Sequence, residues 1–162
     1  MGRLAVEAGG RMVHGGDPDC GAALMVELDG ARGGAQDFRA QVIEICGASV
    51  ATEMRVAASE TERALIWKAR KAAFASMGRI SPNYYVQDGV IPRTRLRDVL
   101  EEIGALSTKY GLRVANVFHA GDGNLHPLVL YDGAEAGAGD RALELAGLIL
   151  ESCIPAGGSI TG

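Results

Sequence analysis

The sequence predicts an α+β fold: an antiparallel sheet with helices packed on one face. Three observations lead there. Strand-like runs and helix-period stripes interleave along the 162 residues with no internal repeat. Two of the strand-like runs, ending at Phe118 and beginning at Leu125, are joined by the tight loop Ala120-Gly-Asp-Gly-Asn124. Parallel neighbours need a crossover of about a dozen residues or more, so this pair must be antiparallel. Hydrophobic residues make up 48% and charged residues 22%, the balance of a soluble domain with enough apolar surface to cover a sheet with helices.

The elements follow in order. Residues 1–21 show no periodicity and read as an irregular segment. Ala22-Ala-Leu-Met-Val-Glu-Leu28, closed by Asp29-Gly30, reads as a strand buried on both faces. Beyond Gly33-Gly34, residues 35–47 place Phe38, Val42, Ile45 and Cys46 at helical spacing. Glu53-Met-Arg-Val56 alternates as a second strand. Ser59 then caps a helix with Glu62 at the capping-box position, and Gly78 stops it after Met77. Tyr84 to Ile91 is a third strand, interrupted at Asp88-Gly89. Leu96, Val99, Leu100, Ile103 and Leu106 form one stripe of a helix over 93–109, ended by Gly111. Leu112 to Phe118 and Leu125 to Tyr131 are the fourth and fifth strands, and a last helix over 138–153 uses Leu143, Leu145, Ala146, Ile149 and Leu150.

Composition excludes some classes. A net charge of −4 and thinly spread Lys and Arg lack the basic stripe of a nucleic-acid binder. No apolar run reaches the roughly 18–20 residues of a transmembrane helix, and the first residues lack a signal-peptide core. Cys20, Cys46 and Cys153 are odd in number and widely spaced, which reads as buried thiols in a reducing cytoplasm. Both ends of the sequence look cut, so a fragment is expected.

Two clusters carry chemical interest. His119 and His126 bracket Gly-Asp-Gly-Asn, so the turn between two strands folds the imidazoles towards one another. Neutral imidazole ligates zinc and other first-row divalent metals, but a catalytic zinc commonly takes three protein ligands, and two are an incomplete set. Gly121 and Gly123 allow positive φ and close approach to the backbone. Asp122 and Asn124 can hold a histidine ring or shape the turn. The alternative is a Gly-rich hairpin with incidental histidines. A phosphate loop does not fit, because the glycines join two strands instead of opening a helix. In Trp67-Lys-Ala-Arg-Lys71, the guanidinium of Arg70 is suited to a substrate carboxylate. The alternative here is a solvated basic helix face. His14 has no evident partner, and no nucleophile elbow is present.

Taken together, Trp67-Lys-Ala-Arg-Lys-Ala-Ala-Phe74, Gly78 to Tyr85, Asp88-Gly-Val-Ile-Pro-Arg93, Arg113 to Pro127 and Gly157-Gly-Ser-Ile-Thr-Gly162 resemble a known family. It is the C-terminal domain of FAD-linked oxidases in the vanillyl-alcohol oxidase superfamily. The likeness is strongest to glycolate oxidase FAD-linked subunits, with D-lactate and D-2-hydroxyglutarate dehydrogenases as relatives. It runs from about Ala22 to Gly162, and more loosely before that.

The resemblance implies a ferredoxin-like cap domain over the flavin, with most of the FAD held by an N-terminal domain that this chain does not contain. It implies a divalent metal, zinc or similar, on His119 and His126, and places Asn124 near the flavin. A glutamate and a catalytic histidine base would follow Gly162, so the catalytic base lies beyond residue 162, and the chain alone is expected to be inactive and free of FAD. Arg70 matches an arginine that clamps the substrate carboxylate. Phe74 and Val86 stand where hydroxyglutarate enzymes carry polar contacts, which implies a smaller 2-hydroxy acid such as glycolate or D-lactate. The implied partners are the FAD-binding domain or other oxidase subunits, with peripheral attachment to the inner membrane through them. Two alternatives from other classes are a non-catalytic ferredoxin-like metal or small-molecule binding module left by gene truncation, and a structural interaction domain.

Overall fold

The computed structural model describes residues 22–28, 32–49 and 51–160. The irregular segment 1–21 with His14 and Cys20, the Asp29-Gly30 turn and Gly162 lie outside the described residues. The helices are α1 (Arg32–Gly47), α2 (Glu60–Met77), α3 (Leu96–Tyr110) and α4 (Ala138–Cys153). The strands are β1 (Asn83–Val86), β2 (Gly89–Val90), β3 (Val114–His119), β4 (Asn124–Tyr131) and β5 (Ser159–Ile160). A 3₁₀ turn, Arg93–Arg95, leads into α3.

β4 is the central lane. It pairs with β3 along one edge and with β1 and β2 along the other, and β5 pairs with β2; every pairing is antiparallel. From β1 onward the chain therefore runs strand, helix, strand, strand, helix, strand, the ferredoxin-like arrangement. β1 and β2 are one strand interrupted at Gln87-Asp88, one residue earlier than the expected Asp88-Gly89 break. The interruption leaves the register intact, since Val86 pairs with Leu128 and Gly89 with Leu125.

Alternation of side chains along β4 divides the core. Leu125 and Val129 join Ile91, Val99 and Ile103 of α3, and Leu145 and Ile149 of α4 in one cluster. Leu128 and Leu130 face the other way and pack with Ala115, Val117, and Ala73 and Met77 of α2. The α+β class, the antiparallel sheet and the two helices on one face are as expected. To these α2 adds a contact across the end of the opposite face, and that face carries the candidate site.

Local signals explain the helix ends. The Ser59 hydroxyl accepts the Glu62 N–H at 3.2 Å, while the Glu62 carboxylate accepts the Ala58 N–H at 2.9 Å. The capping box thus closes one residue earlier than its standard form. Gly111 takes φ 64 at the end of α3, a left-handed stop that suits glycine. Leu143, expected on the apolar stripe of α4, is exposed; Ala142, Leu145, Ala146 and Ile149 form the buried face.

Two predicted strands do not form. Residues 23–28 form no ladder among the described residues, Ala22 makes a single bridge, and Leu24 is 71% exposed. Glu53-Met-Arg-Val56 also forms no ladder, and Met54 and Val56 are exposed. An apolar or alternating run becomes a strand only when another strand takes its backbone groups, and sequence pattern does not supply that partner. Side chains hold these segments instead. The Glu27 carboxylate accepts from Arg63 and, at 3.1 Å, from Trp67 Nε1, while Arg55 binds Glu62. α1 starts at Arg32, earlier than predicted, and leaves Phe38 and Ile45 exposed.

Candidate functional site

The site is built on the β3–β4 hairpin. His119 and Asn124 form its last cross-strand pair. The His119 carbonyl accepts the N–H groups of Asp122 at 3.1 Å and Gly123 at 3.0 Å, which closes the turn. Gly123 has φ 73, and a Cβ there would lie 1.9 Å from the Ile91 carbonyl oxygen. Its own carbonyl accepts the Ile91 N–H at 2.9 Å. The glycine is therefore required for backbone packing of the hairpin on the segment after β2. Gly121 does not take positive φ and has open space around it, so only one of the two glycines uses its conformational freedom.

Strand alternation puts Val117, His119, Asn124, His126 and Leu128 on one face, the face that meets α2. The rings of His119 and His126 are 5.7 Å apart between centroids and nearly perpendicular at 86°. His119 is exposed, whereas His126 is largely covered. Phe74 of α2 meets the His126 ring edge-on at 6.0 Å. Beside them the Asn124 Oδ1 is buried with no hydrogen-bond partner among the described residues, an arrangement that costs about 1–3 kcal/mol unless a donor or cation meets it. The predicted bonds from Asp122 or Asn124 to an imidazole are not present among the described residues.

Arg70 is half-buried and lies one helical turn before Phe74, on the stripe of α2 that includes Ala73 and Met77. Among the described residues it makes no ion pair or hydrogen bond. Lys68 and Lys71 are exposed on the helix's outer side. The basic cluster thus divides: two lysines form a solvated face and the arginine is half-buried.

Sequence reasoning missed Asp88, treating it only as a strand interruption. The continuous β1–β2 register sets it directly across from His126, and its Oδ2 is 3.7 Å from the imidazole Nδ1. Extending the antiparallel register through Asp88-Gly89 would have found it. A shallow cavity of about 180 Å³ lies by Ser81, Arg113 and Tyr131, at the far end of β4, and no candidate residue lines it.

The two imidazoles suit a cation or polar ligand in their chemistry. Metal–imidazole bonds of about 2.0–2.1 Å from each side bring ring centroids to roughly 5–6 Å, the separation seen here. Among the described residues no group of three His, Cys, Asp or Glu side chains could hold a metal ion.

These features define an α+β domain with a polar patch on one sheet face. The chain belongs to the family of FAD linked oxidases, C-terminal domain, whose model matches residues 2–162. It is 50% identical to the glycolate oxidase subunit GlcD of Escherichia coli (strain K12) over 163 aligned residues, covering all of this chain and 33% of that protein. It is 29% identical to the GlcD subunit of Bacillus subtilis (strain 168), covering 87% of this chain and 30% of the relative. A D-lactate dehydrogenase [cytochrome], mitochondrial, of Kluyveromyces lactis is 27% identical over 78% of this chain and 23% of its own length. The chain thus spans about a third or less of the curated relatives it matches. The family is one of FAD-linked oxidoreductases, as the sequence motifs imply. Among the described residues no helix is long and apolar enough to cross a membrane.

Proposed function

We propose that this chain forms the substrate-side wall of an FAD-dependent dehydrogenase that oxidises a small 2-hydroxy acid, of glycolate or D-lactate type, to the 2-oxo acid. The observation that carries this reading is one sheet face with two imidazoles, a buried amide oxygen with no partner among the described residues and, one helical turn from the Phe74 contact, a half-buried arginine.

Each residue has a role in it. Arg70 receives the substrate carboxylate through its two-pronged guanidinium, a charge-assisted pairing that orients as well as binds. His119 and His126 hold a divalent ion such as zinc through their imidazole nitrogens. Asn124 offers its carbonyl oxygen to a flavin or substrate donor, which would satisfy the buried acceptor. When bound, the ion supplies Lewis acidity towards the substrate oxygen and FAD supplies the hydride acceptor. Phe74 closes the His126 side with an apolar ring, which excludes water and offers no partner to a second carboxylate. Val86 is likewise apolar, so the pocket favours substrates with one carboxylate. The FAD-binding domain and other oxidase subunits are the partners in this reading, and any membrane attachment runs through them.

A graft tests it. This chain, placed in the matching third of the E. coli GlcD subunit, is expected to retain FAD and to support dye-linked oxidation of glycolate or D-lactate. Activity on D-2-hydroxyglutarate should be far lower, and a chelator should remove turnover. A flavin-loaded graft that prefers the dicarboxylate, or ignores chelator, contradicts the proposal.

A further inference from the structure

We propose that Asp88 is a positioning residue for His126, holding the imidazole with Nδ1 protonated so that Nε2 is left to bind a ligand. The value of that orientation for metal binding rests on the metal reading of the His119–His126 pair; the orientation itself does not.

The geometry carries the argument. Val86 pairs with Leu128 and Gly89 with Leu125, with two residues between on each strand, so Asp88 and His126 are direct cross-strand neighbours on one face. The Gln87 N–H donates to the Pro127 carbonyl at 3.0 Å, which keeps the strands joined beside them. Gly89 pins the next position: a Cβ there would lie 2.8 Å from Cys153 Sγ, so the backbone after Asp88 is seated on α4. The Asp88 Oδ2 stands 3.7 Å from His126 Nδ1, with the side chains 42% and 18% exposed. That separation exceeds a hydrogen bond and lies within ion-pair reach. The ring has little freedom to turn away, since Phe74 meets it edge-on and His119 stands perpendicular to it.

The chemistry then fixes the tautomer. A carboxylate only accepts, so the nitrogen that faces it must carry the hydrogen. A neutral imidazole has one such hydrogen, which leaves the Nε2 lone pair free. Carboxylate–histidine pairs of this kind orient metal-binding rings and raise their basicity. Asp88 was legible in the sequence only as part of a turn signal, and the site residues assigned from motif matching do not include it.

The test begins without metal. In the ¹⁵N-labelled chain at neutral pH, long-range ¹H–¹⁵N correlation should show His126 protonated at Nδ1. Asp88→Ala should move it to the Nε2–H form, whereas Asp88→Asn, which keeps an acceptor oxygen, should retain Nδ1–H. Asp88→Val, a strand-forming replacement without an acceptor, serves if the alanine variant loses its dispersed spectrum. Zinc titrated by calorimetry should then bind about 10–100-fold more weakly to Asp88→Ala than to the parent chain. A changed tautomer with no zinc binding in either protein upholds the orienting role and removes the metal reading. An unchanged tautomer overturns the proposal; if zinc binding is nevertheless weakened, Asp88 acts as a ligand itself.

Discussion

Gly123 meets the Ile91 carbonyl so closely that no side chain fits between them: a Cβ would be 1.9 Å from that oxygen. The contact joins the tip of the histidine hairpin to the chain leaving β2. Gly123→Ala adds this clash to a strained positive φ. It should destabilise the chain by roughly 2–4 kcal/mol. Denaturant unfolding measures it, and Gly121→Ala, in open space, should change stability by less than about 1 kcal/mol.

Glu62 at the start of α2 binds the Ala58 N–H and the Arg55 guanidinium, which hold its carboxyl below the ordinary value of 4.5. A lowered folded value means that its stabilisation is present above the ordinary range and fades as pH falls through the folded value. Thermal midpoints should therefore fall between about pH 5 and pH 3. Glu62→Gln should lose the part of that fall that the carboxylate carries, and Ser59→Ala should cost about 1 kcal/mol at all pH values.

The Cys153 thiol is packed against Gly89, and burial, with a smaller contribution from Glu102, pushes its ionisation upward. The thiolate is the reactive form, so this cysteine should resist alkylation. Treated with iodoacetamide at pH 8, Cys46 should be modified at least about 10-fold faster than Cys153. Peptide mass spectrometry reads both sites, and denaturant should remove the difference.

Much of the fold was legible because its signals are local. Ser59, Gly111 and the Val99–Ile103 stripe act within one or two helical turns, and the hairpin loop is too short for any but antiparallel strands. The histidine pair was legible for the same reason, since one turn sets both residues on one face. Signals that depend on distant partners were not. Ala22–Leu28 has the composition of a buried strand, but a ladder needs another backbone, and Leu24 stands exposed. Asp88 reaches His126 only through the register between β4 and the β1–β2 lane, which no local pattern encodes. The sequence suggested freedom for ligand approach at both loop glycines; Gly123 spends it on Ile91.

The proposed carboxylate role of Arg70 can be tested apart from FAD binding. In the grafted GlcD protein, Arg70→Ala should raise KM for glycolate or D-lactate by roughly 10–100-fold, the loss of a charged hydrogen-bonded pair of about 1.5–3 kcal/mol. FAD content should not change. Arg70→Lys should recover only part of the loss, because ammonium lacks the fork. Steady-state kinetics beside flavin absorbance checks both.

The most direct test of the central claim is His126→Ala in the same graft, read by metal content and 2-hydroxy-acid turnover together. The account predicts loss of the divalent metal and of turnover while FAD remains bound. Unchanged metal content with unchanged turnover would contradict it.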